Sequence, residues 1–351
     1  MDSLKQDLLK QDLVDLLDRL PTLENSDRLT QLLETVLRLA DSDLERLDWN
    51  ILSATMADME KALEVFLPYR HRRKIAIFGS ARTPETAPEY LLAKEFARRA
   101  VMASYMVITG AGAGIMGAAN EGAGQAESFG LNIHLPFEQD ANATMDEDPK
   151  LLKFKYFFTR KLFFLRESHA LAVFPGGFGT YDELLECLTL CQTGRCNPLP
   201  IVLITKPGDD YWHHWHNYLQ QHLADRGFID PEDRQIYTIT DDIDQAHKEI
   251  ANFYRVYHSI RYVRDPREPD PRRQNPRDRL VIRLQHPIAD EVVQGLNDRY
   301  PDILLSGKIT KTTFVPEESG DPTALFSRLI MHFNQRKVGR LYQMIRDLNE
   351  S

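Results

Sequence analysis

Five short apolar runs constrain this chain more than any other feature: Lys74 to Phe78, Tyr105 to Thr109, Leu131 to Leu135, Ala170 to Phe174 and Pro200 to Ile204. A half-exposed strand alternates polar and apolar side chains, whereas these runs are apolar almost throughout, as strands buried on both faces are. Helical patterns lie between most of them, for example over Glu89 to Ala103 and Gly114 to Ala126. The alternation predicts an α/β fold, a Rossmann-like doubly wound parallel sheet with helices on both faces. Ligands in such sheets bind outside the carboxyl ends of the strands, where the glycine-rich loops of this region fall.

The fourth run leads directly into Pro175-Gly-Gly-Phe-Gly-Thr-Tyr-Asp-Glu183, followed by an amphipathic stretch from Leu184 to Cys191. Strand, glycine turn and helix start are therefore consecutive. Gly176, Gly177 and Gly179 leave the backbone without Cβ atoms, so its N–H groups can close around an anion at the positive end of the helix dipole. A phosphate is the expected guest, and Glu183 would face whatever sugar that phosphate anchors. The same residues admit a structural reading, because Thr180-x-x-Glu183 fits a capping box in which the two side chains only close the helix start.

A second glycine-rich turn, Gly110-Ala-Gly-Ala-Gly-Ile-Met-Gly117, follows the strand ending at Thr109 and opens a helix. Gly112-x-Gly114-x-x-Gly117 matches the dinucleotide fingerprint. That fold, however, wants the loop after its first strand and an acidic residue about 20 positions later, for which Glu138 is a loose match. Arg160 and Lys161, in Phe158-Thr-Arg-Lys161, fall on a helix running into the strand that carries the Pro175 loop. They are either a solvated basic pair or a guanidinium that binds phosphate or ribose and orients Glu183. Trp212-His-His-Trp-His216 lacks a carboxylate or cysteine at ligand spacing and reads as an amphipathic helix surface.

Flanking segments differ in character. Residues 1–68 carry leucine at helical spacing (Leu9, Leu13, Leu16, Leu17 and Leu20, then Leu32, Leu33, Val36 and Leu37) and predict a helical extension. Pro21 and Asn25-Ser26-Asp27 separate its helices, and Asp41-Ser-Asp43 caps the next. Residues 264–279 hold four prolines and ten charged side chains, the composition of a linker. They divide a catalytic region, 69–263, from a small α+β tail, 280–351, with strands over Leu280 to Leu284 and Ile303 to Phe314 and helices near 289–299 and 323–349.

A formal charge of −9, from 43 basic and 52 acidic residues, argues against a nucleic-acid binder. No run approaches the roughly 18 apolar residues that cross a membrane, and the start lacks a signal-peptide core, so a cytoplasmic protein is expected. Three cysteines, Cys187, Cys191 and Cys196, without a CxxC pair suggest neither a disulfide framework nor a zinc ribbon.

Taken together, Ile77-Phe-Gly-Ser80, the TGAGAGIMGAANEGA run from Thr109, LNIHLPFEQ from Leu131, YFFTRK from Tyr156 and the Pro175 loop resemble the Lonely-guy family, whose members were long mislabelled lysine decarboxylases. The resemblance covers residues 74–258. It implies hydrolysis of the N-glycosidic bond of nucleoside 5′-monophosphates, cytokinin riboside monophosphates or AMP, to a free base and ribose 5-phosphate. It assigns Arg160 and Glu183 as catalytic, Gly176, Gly177, Gly179 and Thr180 as the phosphate loop, and Lys161, Ser80, Gly110, Gly112 and Gly114 to the nucleotide pocket. No metal or redox cofactor is implied, and a homodimer or larger homo-oligomer is. Ala113 stands where close relatives often have proline, Phe157-Phe158 departs from the shorter plant-type members, and Phe164 replaces their methionine near the base, which leaves base preference open. The competing reading is a nucleotide-binding regulator with little turnover.

Overall fold

The computed structural model describes residues 25–134, 141–263, 279–313, 315, 323 and 325–351. The linker at 264–278, Glu138, Pro21 and the first leucine-rich stretch lie outside them. The chain divides into two compact units, one ending at Met59 and the other spanning Glu60–Ser351. Helix α1 (Ser26–Ala40) belongs to the first, and α2 (Arg46–Phe66) carries the chain from one to the other. The helix expected after an Asp41–Asp43 cap begins at Arg46, and the Asp48 carboxylate accepts the Glu45 N–H at 3.0 Å.

Seven parallel strands form the main sheet: β1 (Lys74–Phe78), β2 (Met106–Thr109), β3 (Ser128–Ile133), β4 (Leu151–Phe154), β5 (Ala170–Val173), β6 (Ile201–Ile204) and β7 (Tyr237–Thr240), in the order β4-β3-β2-β1-β5-β6-β7. The α/β expectation is met. Strands β4 and β7 were not legible as apolar runs, because both sit near the edges and leave part of their side chains uncovered. Sheet order reverses between β1 and β5, whose registers run from Ile75 opposite Ala170 to Phe78 opposite Val173. That crevice is the topological switch point, where ligands of such sheets sit.

Helices cover both faces, which is why the central strands are apolar on both sides. Ile75, Ile77, Val107 and Ala172 pack with α3 (Pro88–Met102), α4 (Ile115–Ala123) and α8 (Ile243–Phe253) in one core. On the other side Phe78 meets Phe164 of α5 (Phe157–Glu167) edge-on at 4.9 Å. Beside it, Phe66 stacks on Phe129 at 4.6 Å. Helix α6 (Phe178–Gln192) buries Leu184, Cys187 and Cys191, and α7 (Tyr211–Leu219) buries Trp212 and Trp215, so the histidine-rich stretch is an amphipathic helix.

The tail is a four-stranded antiparallel sheet, β10-β11-β9-β8, of β8 (Tyr257–Val263), β9 (Arg279–Leu284), β10 (Leu304–Thr312) and β11 (Ser327–Phe333), with helices α9 (Asp290–Arg299) and α10 (Val338–Glu350). The single helix expected over 323–349 is instead β11 followed by α10. Leu329, Met331 and Phe333 are buried at a spacing of two, a strand period that the helical pattern of the following segment masks. Strand β8, before the linker, pairs with β9 after it. Helix α10 binds the main sheet region closely: Asn349 accepts the Val256 and Tyr257 N–H groups at 2.8 and 2.9 Å, and Arg346 donates to Glu249 at 3.0 Å.

Candidate active site

Three loops meet at the switch point. The one after β1 is tied to the Pro175 loop by Ser80 N–H donating to Pro175 O at 3.0 Å, and to the second glycine turn by Ile115 N–H donating to Ser80 O at 3.0 Å. Gly114 lies at φ +64°, and a Cβ there would stand 2.7 and 2.9 Å from the Ala81 backbone, so only glycine lets the two loops close. Gly176 is crowded in the same way, with a Cβ position 2.8 Å from Thr180 Cβ and 2.9 Å from Ser80 N. Behind the second turn, Thr109 Oγ1 donates to Asn120 at 2.6 Å and accepts the Ala111 N–H at 2.9 Å, while the Asn142 amide donates to Gly112 O at 3.0 Å.

Between these loops opens a cleft of about 830 Å³. Ser80, Gly110, Arg160, Gly177, Gly179, Thr180 and Glu183 line it, with Met116, Ile133, Phe157 and Phe164 as an apolar wall. Gly112, Gly114 and Gly176 frame the loops without lining the cleft. Alanine at Gly177 or Gly179 would meet no atom within 4 Å, so this backbone faces open space. Helix α6 starts at Phe178 with Gly177 as its N-cap, and no side chain caps it. Thr180 and Tyr181 N–H donate to Gly177 O at 3.0 and 3.2 Å, which leaves the Phe178 and Gly179 N–H groups at the helix start for an anion.

The capping-box alternative is therefore not realised. Glu183 sits in the second turn of α6, 8% exposed, and its carboxylate turns to α5: Arg160 Nη2 donates to Oε1 at 3.2 Å, and Lys161 Nζ lies 3.8 Å from Oε2. Lys161 stands outside the cleft lining and is engaged by Asp182 at 2.9 Å and Glu186 at 2.7 Å. Arg160 also lies over the Phe157 and Phe164 rings at 4.9 and 5.6 Å. Its Nε is buried without a partner among the described residues.

Burial decides the electrostatics of this pair. It pushes the Glu183 carboxyl above the usual carboxylate range, and the opposing pull of Arg160 and then Lys161 does not restore it. Desolvation outweighs the attraction of the guanidinium. Burial likewise lowers Arg160, against the attraction of Glu183.

Two features of the site carry no sequence signal of their own. Tyr211 donates its hydroxyl to Gly176 O at 2.6 Å from a helix 35 positions further along the chain. Arg82 lines the cleft two residues after Ser80, in a loop where only Ser80 had been singled out.

A family model described as "Possible lysine decarboxylase" matches residues 116–250, a span holding Arg160, Lys161 and the whole Pro175 loop. The chain is 28% identical over 135 residues to cytokinin riboside 5′-monophosphate phosphoribohydrolase LOG5 of Arabidopsis thaliana. It is 36% identical over 77 residues to the probable cytokinin riboside 5′-monophosphate phosphoribohydrolase LOGL3 of Oryza sativa subsp. japonica. The Lonely-guy resemblance holds. These matches cover 38% and 22% of this chain, and 56% and 35% of the two relatives, so the chain spans about half or less of the Lonely-guy proteins it matches. Among solved structures, the X-ray structure of TM1055 is 22% identical with a TM-score of 0.37, covering 51% of this chain and 98% of its own. The molybdenum cofactor carrier protein of Chlamydomonas reinhardtii is 18% identical with a TM-score of 0.36 and the same coverage.

Proposed function

We propose that the chain hydrolyses the N-glycosidic bond of nucleoside 5′-monophosphates, cytokinin riboside monophosphates or AMP among them, to a free base and ribose 5-phosphate. The observation that carries this reading is the buried Glu183–Arg160 pair on the wall of a cleft whose floor is a bare glycine loop at a helix start. Phosphate on the Gly177–Gly179 backbone fixes one end of the substrate, and its binding energy is converted into placement of the ribose against Glu183. The wall of Met116, Ile133, Phe157 and Phe164 suits a flat base.

Glu183 takes a proton from water as the water oxygen bonds to the anomeric carbon. The bond from that carbon to the base nitrogen breaks, and its electron pair leaves with the base, which takes a proton from solvent as Glu183 returns to solvent the one it accepted. Positive charge developing on the ribose is stabilised by the carboxylate. A carboxyl raised toward neutral pH is a better proton acceptor than an ordinary one, and burial supplies that shift. Arg160 holds the carboxylate in place from the wall of the cleft.

In this reading residues 69–263 carry catalysis, and the segments 1–68 and 280–351 are additions to it. Exposed Phe157, Phe158 and Leu162 on α5 and Leu185 on α6 offer an apolar surface for pairing with a second copy. Among the described residues no helix is long and apolar enough to cross a membrane.

The test is chromatographic detection of free base from AMP, isopentenyladenosine monophosphate, GMP and CMP, beside Glu183→Ala. Release that disappears in the variant supports the hydrolase and names its base. Binding without release from any of the four rejects it in favour of a nucleotide-binding regulator.

A further inference from the structure

We infer that Arg82 is the counter-charge for the substrate phosphate and sets the preference for nucleoside monophosphates over nucleosides. The inference rests on the nucleotide reading above and assigns the phosphate a cationic side-chain partner. A phosphomonoester carries a charge of about −1.5 to −2 near neutral pH. The start of α6 offers the equivalent of about half a positive charge. The remaining negative charge would sit beside buried Glu183, so the cleft needs another cation.

Two cations line it, Arg160 and Arg82. Arg160 is matched by Glu183 at 3.2 Å. Lys161, the other basic residue of the motif, lies outside the lining and is held by Asp182 and Glu186. Arg82 is exposed, and its guanidinium has no hydrogen bond or ion pair among the described residues. Its backbone is nevertheless fixed. Arg82 N–H donates to Ser80 Oγ at 3.1 Å, and Ser80 in turn bonds to Pro175 O and to Ile115 N–H, each at 3.0 Å. The Cα of Arg82 is thereby fastened to both glycine loops while its side chain is free to swing onto a ligand. A planar guanidinium matches two phosphate oxygens at once, which an ammonium does not.

Binding of AMP, ribose 5-phosphate and adenosine to the full-length chain is measured calorimetrically in a Glu183→Gln background that stops turnover, with and without Arg82→Ala or Arg82→Lys. The expected result is a loss of about 10- to 100-fold for AMP and ribose 5-phosphate in Arg82→Ala, the range of a charge-assisted hydrogen bond. Adenosine affinity stays unchanged, and Arg82→Lys recovers part of the loss. With Glu183 present, Arg82→Ala raises KM for AMP far more than it lowers kcat. Equal losses for adenosine and AMP would reassign Arg82 to the base or ribose. Unchanged affinities for both AMP and adenosine, in a parent that prefers AMP, overturn the role of Arg82 alone. A parent with no AMP preference and no base release overturns the nucleotide reading and this inference with it. The thermal midpoint of Arg82→Ala serves as the folding control, and Arg82→Lys carries the test if that variant is unstable.

Discussion

Alanine at Gly176 and alanine at Gly177 should behave in opposite ways, although the two residues are neighbours in one loop. At Gly176 the added methyl would stand 2.8 Å from Thr180 Cβ and 2.9 Å from Ser80 N, and closer still to Thr180 Oγ1. None of these neighbours yields easily. Thr180 is 5% exposed, Ser80 N–H is bonded to Pro175 O at 3.0 Å, and Gly176 O is held by Tyr211 at 2.6 Å. Overpacking of this kind costs about 1–3 kcal/mol, and loss of the Ser80–Pro175 hydrogen bond adds about 1 kcal/mol. At Gly177 the backbone is at φ −91° and no atom lies within 4 Å of the added carbon. Its stability cost should stay within about 0.5 kcal/mol, while the methyl intrudes on the surface that receives phosphate. Urea unfolding and base release from AMP, run on both variants, separate the effects. Gly176→Ala should lose stability and activity together, and Gly177→Ala activity alone. A Gly176→Ala protein as stable and active as its parent would refute the packing argument for the loop, and a Gly177→Ala protein as unstable as Gly176→Ala would refute its open face.

Three further outcomes follow from the same geometry. Glu183→Gln keeps the shape and an acceptor for Arg160 but removes the base, so base release should fall by about 10²–10⁴-fold with the fold intact by circular dichroism. His169 accepts the Lys74 N–H through Nδ1 at 3.3 Å, and burial, then nearby Lys74 and Arg73, pushes its pKa down to about 4. A depressed histidine gives stability that is present above its unfolded value of 6.5 and lost as pH falls toward 4, about 3 kcal/mol over that window. Urea titrations at several pH values should show that acid slope flattened in His169→Asn. Phe66→Ala, which removes the ring stacked on Phe129 at 4.6 Å and Phe163 at 6.2 Å, should cost about 3–5 kcal/mol in chemical denaturation.

Central strands were legible because burial on both faces leaves a continuous apolar run, as in Ile75–Phe78 and Ile201–Ile204. Edge strands were not. Leu151–Phe154 and Tyr237–Thr240 have partly uncovered faces, and their mixed composition imitates a loop. In the tail, β11 was absorbed into a helix because its buried residues lead straight into those of α10, whose pattern is strongly helical. At the site, the glycine loop and its carboxylate are contiguous and could be read directly. Lys161 shares a motif with Arg160, yet a helix turns adjacent residues about 100° apart, and only Arg160 lines the cleft. The clasp of Tyr211 on Gly176 comes from packing of distant segments, which no local pattern encodes.

Burial shifts Arg160 and Glu183 each toward its neutral form, so their mutual attraction offsets only part of the cost of desolvating them. In the proposed hydrolase Glu183 acts as a base, and the ligand should increase its basicity. A phosphate dianion entering the same cleft adds negative charge near Glu183 and raises its proton affinity further, so the bound substrate strengthens the base that deprotonates the attacking water. The acid limb of kcat/KM reports the free enzyme, and that of kcat reports the complex. Both limbs should lie above the ordinary carboxylate range, base release falling as pH drops and Glu183 is protonated. For AMP the kcat limb should lie at higher pH than the kcat/KM limb, whereas for a slow nucleoside substrate the two should coincide. A kcat limb at lower pH would show that the cations of the cleft, Arg82 first among them, outweigh the phosphate at the carboxylate, and would remove substrate-enhanced basicity from the mechanism.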